Sequence, residues 1–291
     1  MKIDTLAIVG VGLIGGSIGL AVKQRGLARR VLGVGRRRAS MDRALARGAV
    51  DEIFFDHLEA VPKADIAVFC TPVDLIAEQI LSAVPACKPG ILLTDAGSTK
   101  AAIVRNIQGR LPPHAHFVGS HPLAGSEKRG PEHADGNLFE GKLTVVTKTA
   151  ETDSRALDDT IEFWQALGSQ VVVMDPEAHD RALALTSHLP HMVASALVSI
   201  LTPRVSALAA SGFRDTTRIA AGDPALWTGI LLQNRESLLA GLDRLDVSLA
   251  EFRHALETLD RPTLHHLLTQ AKRIRDALDQ PTHGAHDALG N

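Results

Sequence analysis

The side chains able to move a proton or grip an anion fall in a few short polar segments of this 291-residue sequence. "FVGSHPLAGSEKRG" carries His121 and Glu127, "TDAGSTK" carries Ser98, and "FCTPVD" carries Thr71 and Pro72. A neutral imidazole can accept a proton near neutral pH, yet a lone histidine at a strand end is more often structural than catalytic. Ser98 alone could equally be a helix N-cap. Further on, "LTSHLPHMVASAL" holds His188 and His191, and "GFRDTTRIAAGDPALW" holds Arg218 and Trp227. An arginine there either grips a carboxylate or forms a surface ion pair worth little. Three-residue histidine spacing suits a metal pair, but no third or fourth ligand is in view, and H-E-x-x-H and C-x-x-C are both missing, so no metal is expected. The sequence has no tyrosine, which removes the Tyr/Lys acid pair of many nicotinamide-dependent carbonyl reductases.

A phosphate-binding pattern precedes all of these. In "AIVGVGLIGGSIGLAVKQRG", Gly10, Gly12 and Gly15 follow an apolar β-like run and open a helical pattern. In that context G-x-G-x-x-G signals a dinucleotide site rather than a merely tight turn. The first glycine permits the turn, the second admits a pyrophosphate to the backbone, and the third lets helix and strand pack closely. Leu13 and Ile14 stand between them at the helix start, where N–H groups and the positive dipole end favour an anion. About 20 residues later an NAD site places an acid for the ribose 2′-hydroxyl. Here "VLGVGRRRAS" has Gly35 followed by Arg36 and Arg37. Guanidinium groups grip a 2′-phosphate that a carboxylate would repel, so the pair favours NADP, with NAD possible and a solvated basic loop as the alternative.

The elements that must position these residues change character along the chain. Up to about residue 175, seven Val- and Ile-rich runs ("LAIVG", "RVLGVG", "ADIAVFCTP", "GILLTDAG", "HAHFVGSHP", "LTVVT", "QVVVMDP") alternate with helical patterns. That alternation predicts an α/β, Rossmann-like, doubly wound, mostly parallel sheet. In such sheets the carboxyl ends of the strands border the ligand crevice, so the loops bearing Thr71, Ser98 and His121 are expected to face one cavity. Beyond "MDPEAHD" the pattern is helical. The expected division is a dinucleotide-binding domain over 1–175 and a helical domain over 176–291. With 45% hydrophobic and 22% charged residues the chain can bury a large core, and a net charge of -2 gives no electrostatic reason to bind nucleic acid or a membrane. No uninterrupted apolar stretch reaches the roughly 18 residues of a bilayer span. Two cysteines, Cys70 and Cys87, are too few for a disulfide framework, and with no export signal a cytoplasmic protein is expected.

"GVGLIGGSIG", "CTPVD", "TDAGSTK", "GSHPLAGSEKRG", "SHLPH" and "GFRDTTRIAAGDPALW" together resemble, in order and rough spacing, the prephenate/arogenate dehydrogenase family of tyrosine biosynthesis. The likeness spans nearly the whole chain. It implies oxidation of a cyclohexadiene that carries a hydroxyl at C4 and a carboxylate at C1, with loss of CO2. By that resemblance His121 accepts the 4-hydroxyl proton and Ser98 orients it. Arg218 holds the ring carboxylate, His191 is a further substrate contact, and Glu127 lies near the polar side chain of the substrate. Trp227 matches a residue that closes the site from a partner subunit, and the family's homodimers join through the helical domain. His188 would brace the domain interface against Asp215. Gly35 and Arg36 depart from members that carry Asp there. Another Rossmann dehydrogenase of the β-hydroxyacid or imine reductase type, or a non-catalytic NADP-binding protein, are the competing readings.

Overall fold

The computed structural model describes residues 2–125 and 128–279. Strands β1 (Ile3–Val9), β2 (Ala28–Val34), β3 (Glu52–Phe54), β4 (Ile66–Phe69), β5 (Ile91–Asp95) and β6 (Ala115–Val118) form one sheet in the order β3-β2-β1-β4-β5-β6. Every neighbouring pair is parallel. The order reverses between β1 and β4, which makes their carboxyl ends the switch point where a doubly wound sheet binds its ligand. Covered on both faces, the inner strands must be apolar throughout; all four residues of β4 are buried. One face packs Ile8, Ile18, Val22 and Trp164, and the other packs Phe69, Ile76, Ile80 and Leu93.

The run "HAHFVGSHP" is two strands, where the sequence pattern suggests one. After β6 the chain passes Gly119 and starts β7 (Ser120–Pro122), which joins β8 (Leu143–Thr147) and β9 (Gln170–Met174) in a second, three-stranded sheet. There β7 is antiparallel to β8, and β8 is parallel to β9. Close approach explains the break. Thr147 N–H donates to the Gly119 carbonyl at 2.8 Å, and a Cβ on Gly119 would lie 2.6 Å from the Thr147 hydroxyl. Strand β3, only three residues long, was too short to show a period.

Beyond β9 the described chain is helical. Asp175 caps helix Pro176–Leu183, accepting from Ala178 N–H, with Pro176 in the first turn. A π-helical turn, Ala184–His188, then leads into helix Leu189–Ser199. By length and mean hydropathy alone this continuous stretch could cross a bilayer, although His188, Pro190 and His191 interrupt its apolar run, as expected from the sequence. However, His179, Asp180, His188 and His191 are all buried along it, which is how a helix packs on a polar site. Helix Ser211–Thr217, a 3-10 turn Arg218–Ala221, and helices Pro224–Gln233, Arg235–Glu257 and Arg261–Leu278 follow.

Candidate active site

The carboxyl ends of β1, β4 and β5 and the loop after β7 open on one cleft of about 940 Å³. Gly12, Leu13, Ile14 and Gly15 line one end, Thr71, Pro72, Ser98 and His121 the middle, and Ser187 and Trp227 the helical side. A pocket of about 280 Å³ continues from it, sharing Gly12, Thr71 and Pro72 and adding Gly10, Arg36 and Arg37. Gly10 has φ +99°, and a Cβ there would sit 2.7 Å from the Cys70 carbonyl oxygen. At Gly15 a Cβ would meet the Gly10 carbonyl oxygen at 2.3 Å, whereas at Gly12 it would meet nothing within 4 Å. The glycines therefore fold the turn tightly and leave bare backbone facing open space. Gly12 is the N-cap of helix Leu13–Gln24 and no side chain among the described residues caps it, which leaves the helix N-terminus open to phosphate oxygens. Arg38 pairs with Asp42 at 2.9 Å, while Arg36 and Arg37 make no ion pair among the described residues. These residues fit a dinucleotide whose adenosine end meets two guanidinium groups.

His121 lies on β7, whose single turn of ladder would position it poorly without help. Its neighbour Ser120 supplies that help. Ser120 N–H donates to Asp95 Oδ1 at 3.1 Å, and its hydroxyl accepts from Trp164 Nε1 at 2.9 Å and lies 2.9 Å from the Thr94 hydroxyl. Lys100, fully buried, donates to the Ser120 carbonyl at 2.9 Å and pairs with buried Asp95. Burial pulls the Lys100 pKa down and the Asp95 carboxylate opposes it. Asp95 and Lys100 belong to "TDAGSTK", where attention to Ser98 alone missed them.

The bond that orients His121 differs from the one expected. Ser98 lines the same cleft, but His121 Nδ1 hydrogen-bonds His179 Nε2 at 2.9 Å, and the rings meet edge to face. His179 Nδ1 in turn bonds Asp180 Oδ1 at 2.8 Å. Lys100 N–H donates to Asp180 Oδ1 at 2.8 Å and Ala101 N–H to its Oδ2 at 3.0 Å. Sequence reasoning overlooked His179 and Asp180. The available signal was a His-Asp pair in the first two turns of a helix that starts at the capping sequence "DP". Burial foremost, then the nearby His179 and Lys100, hold the His121 pKa well below the ordinary imidazole range. The same burial lowers His179, so both rings are neutral near pH 7.

On the helical side, His191 stacks on Trp227 with centroids 3.5 Å apart and planes 11° from parallel. Trp227 thus lines the cleft of its own chain. His191 is not itself among the residues lining the cleft, and its Nδ1 is buried without a hydrogen-bond partner among the described residues. His188 Nδ1 faces Asn234 Nδ2 at 3.0 Å, and the same amide donates to the Asp180 carbonyl at 2.7 Å. Asp215, on an exposed face of helix Ser211–Thr217, is not its partner. Burial pushes His188 down to about 4. Arg218 is exposed on the 3-10 turn before Gly222 and is not among the residues lining the cleft. A Cβ on Gly222 would lie 2.4 Å from Trp227 Nε1, so Arg218 sits one short turn from the His191 and Trp227 wall. Lys128, Arg129 and Lys142 do line the cleft, and no described carboxylate does. Glu127 lies outside the described residues.

Comparison with known proteins agrees with this arrangement. A family model described as prephenate dehydrogenase, nucleotide-binding domain, matches residues 18–173, and one described as prephenate dehydrogenase, dimerization domain, matches residues 175–270. The chain is 34% identical to a cyclohexadienyl dehydrogenase of Zymomonas mobilis, over 94% of this chain and 95% of that protein. It is 35% identical to a prephenate dehydrogenase of Bacillus subtilis, over 98% of this chain and 79% of that protein. Among solved structures it is similar to the prephenate dehydrogenase from A. aeolicus in complex with hydroxyphenyl propionate and NAD+. The TM-score is 0.88 at 30% identity, over 96% of this chain and 99% of that one.

Proposed function

The chain belongs to the prephenate dehydrogenase family of oxidoreductases, and from that premise we propose how it carries out the oxidative decarboxylation of prephenate or arogenate. The observation that carries the reading is a neutral His121 in the same cleft as the nucleotide-binding loop. When bound, NADP supplies the hydride acceptor. His121 accepts the ring-hydroxyl proton as the hydroxyl carbon gains carbonyl character. Departure of the ring carboxylate as CO2 sends the bonding electrons through the ring to that oxygen, and His121 returns the proton to it. The proton is borrowed, so none leaves the site overall.

Other residues bind and orient. Lys128 and Lys142, with Arg129 already paired to Asp223, give the cleft a positive lining for a substrate that carries carboxylates. Arg218 holds the ring carboxylate from the rim, and His191, stacked on the cleft-lining Trp227, is a further substrate contact. Ser98 contacts the substrate beside His121, and Glu127 faces its polar side chain. Gly10, Gly12, Leu13, Ile14 and Gly15 hold the pyrophosphate, with Thr71 and Pro72 against the nicotinamide end. Arg36 and Arg37 grip the 2′-phosphate, which favours NADP over NAD. We further propose a cytoplasmic homodimer joined through the helical half.

Initial rates of nicotinamide reduction, with prephenate and arogenate each crossed with NAD and NADP, test the reading. A rate with at least one substrate, larger with NADP, is expected. No rate in any combination would overturn it.

A further inference from the structure

We propose that His179 and Asp180 are positioning residues that lock His121 into the tautomer with a hydrogen on Nδ1 and a bare Nε2. The inference rests on the reading above that His121 is the base. An ionised carboxylate only accepts hydrogen bonds. Asp180 already accepts from the Lys100 and Ala101 N–H groups, so the ring nitrogen facing it, His179 Nδ1, must carry hydrogen. A neutral imidazole has one N–H, and His179 Nε2 is then an acceptor. Across the 2.9 Å contact the donor must therefore be His121 Nδ1. The remaining nitrogen of His121, Nε2, makes no hydrogen bond among the described residues and is the one left for the substrate hydroxyl. Every hydrogen bond in the chain therefore points toward Asp180, from the two backbone amides on one side and from His121 through His179 on the other, and the lone pair is left on His121, 59 residues from Asp180 in sequence.

Because the proton is borrowed and returned, the pair has no need to conduct it. Its work is to keep the lone pair, rather than an N–H, facing the substrate. In the opposite tautomer His121 would present a donor where the reaction needs an acceptor, the fault that replacing an orienting carboxylate introduces in a catalytic triad. Asn234, which donates to the Asp180 carbonyl at 2.7 Å, and the buried Lys100 and Asp95 pair fix the backbone on either side.

The test uses the full-length protein labelled with 15N-histidine. Two-bond nitrogen–proton correlation spectra, with the His121 signals assigned by their loss in His121→Asn, are expected to show a pyrrole-type Nδ1 and a pyridine-type Nε2. A His121 carrying its hydrogen on Nε2, or averaging between tautomers, would overturn the proposal. In parallel, His179→Leu is expected to lower kcat by ~10²-fold with KM changed less than about twofold. His179→Gln, whose amide can accept from His121 and donate to Asp180, should recover most of that loss. Unchanged kcat in His179→Leu would also overturn it, and if that variant does not fold, the spectrum and the glutamine variant still decide. The spectrum needs no turnover, so an inactive wild-type protein would remove the proposed reaction without touching the tautomer result.

Discussion

At the scale of single residues, charge and protonation state decide which side chain does what. His121→Asn keeps the fold and the cofactor loop but removes the lone pair, so turnover should fall ~10²–10⁴-fold while NADP affinity by fluorescence titration stays the same. Unchanged turnover would take His121 out of the reaction. Arg36→Ala combined with Arg37→Ala removes two guanidinium groups that pair with no carboxylate among the described residues. NADP binding should weaken by at least ~10-fold and NAD binding hardly at all; equal losses would return the pair to a solvated loop. Arg218→Ala is expected to raise KM ~10-fold or more with little change in kcat, because a carboxylate contact present in the bound substrate is lost. Steady-state kinetics that leave KM unchanged would remove that role, and the candidates would narrow to Lys128, Arg129 and Lys142.

At the scale of elements, the stretch from Pro176 through the π-helical turn to Ser199 is the piece that completes the site. It carries His179, Asp180, His188 and His191 at buried positions, and π-type turns recur where a helix must re-aim side chains at a functional site. Holding neutral imidazoles in its core makes this element sensitive to acid. His188 has an ordinary pKa when unfolded and about 4 when folded, so the unfolded chain binds more protons below pH ~6.5. The stability is whole above that value and falls by ~1.4 kcal/mol for each unit of acidification between the two. Burial of His179 and His121 adds to the slope in the same direction. Urea unfolding midpoints should therefore drop clearly from pH ~7.5 to pH ~5, and an unchanged midpoint would show that these rings are protonated or solvated in the folded state.

At the scale of the whole molecule, the helical half leaves an apolar stripe exposed in the single chain. Helix Arg261–Leu278 has no buried residue, yet Leu264, Leu268, Ala271, Ile274 and Leu278 recur at three- and four-residue steps. Leu268 is 61% exposed, Ile274 67% and Leu278 73%. An apolar stripe of this kind needs a cover, and a second copy is the cover that the match to a dimerization domain indicates. Sedimentation should give twice the 31.0 kDa chain mass, and Leu268→Asp with Ile274→Asp should shift it toward one chain. A monomeric wild type would overturn the assignment.

The sequence by itself determined the parallel nucleotide-binding sheet, the glycine turn and the helical second half, because each depends on neighbours within a few residues: a strand period, a φ only glycine tolerates, a helical repeat. It also carried the motifs that placed Thr71 and Ser98 just past strand ends, whereas His121, expected at one too, is the middle residue of β7. Tertiary packing alone decided that "HAHFVGSHP" divides at Gly119 between two sheets, since which strand pairs with Ser120–Pro122 depends on where β8 lies. It alone decided that His121 leans on His179 instead of Ser98, that Trp227 stacks on His191 of its own chain, and that Arg218 stands outside the cleft lining. Those contacts join residues far apart in the chain, where hydrogen-bond direction and burial depend on how the helices dock on the sheet, and no local pattern records docking.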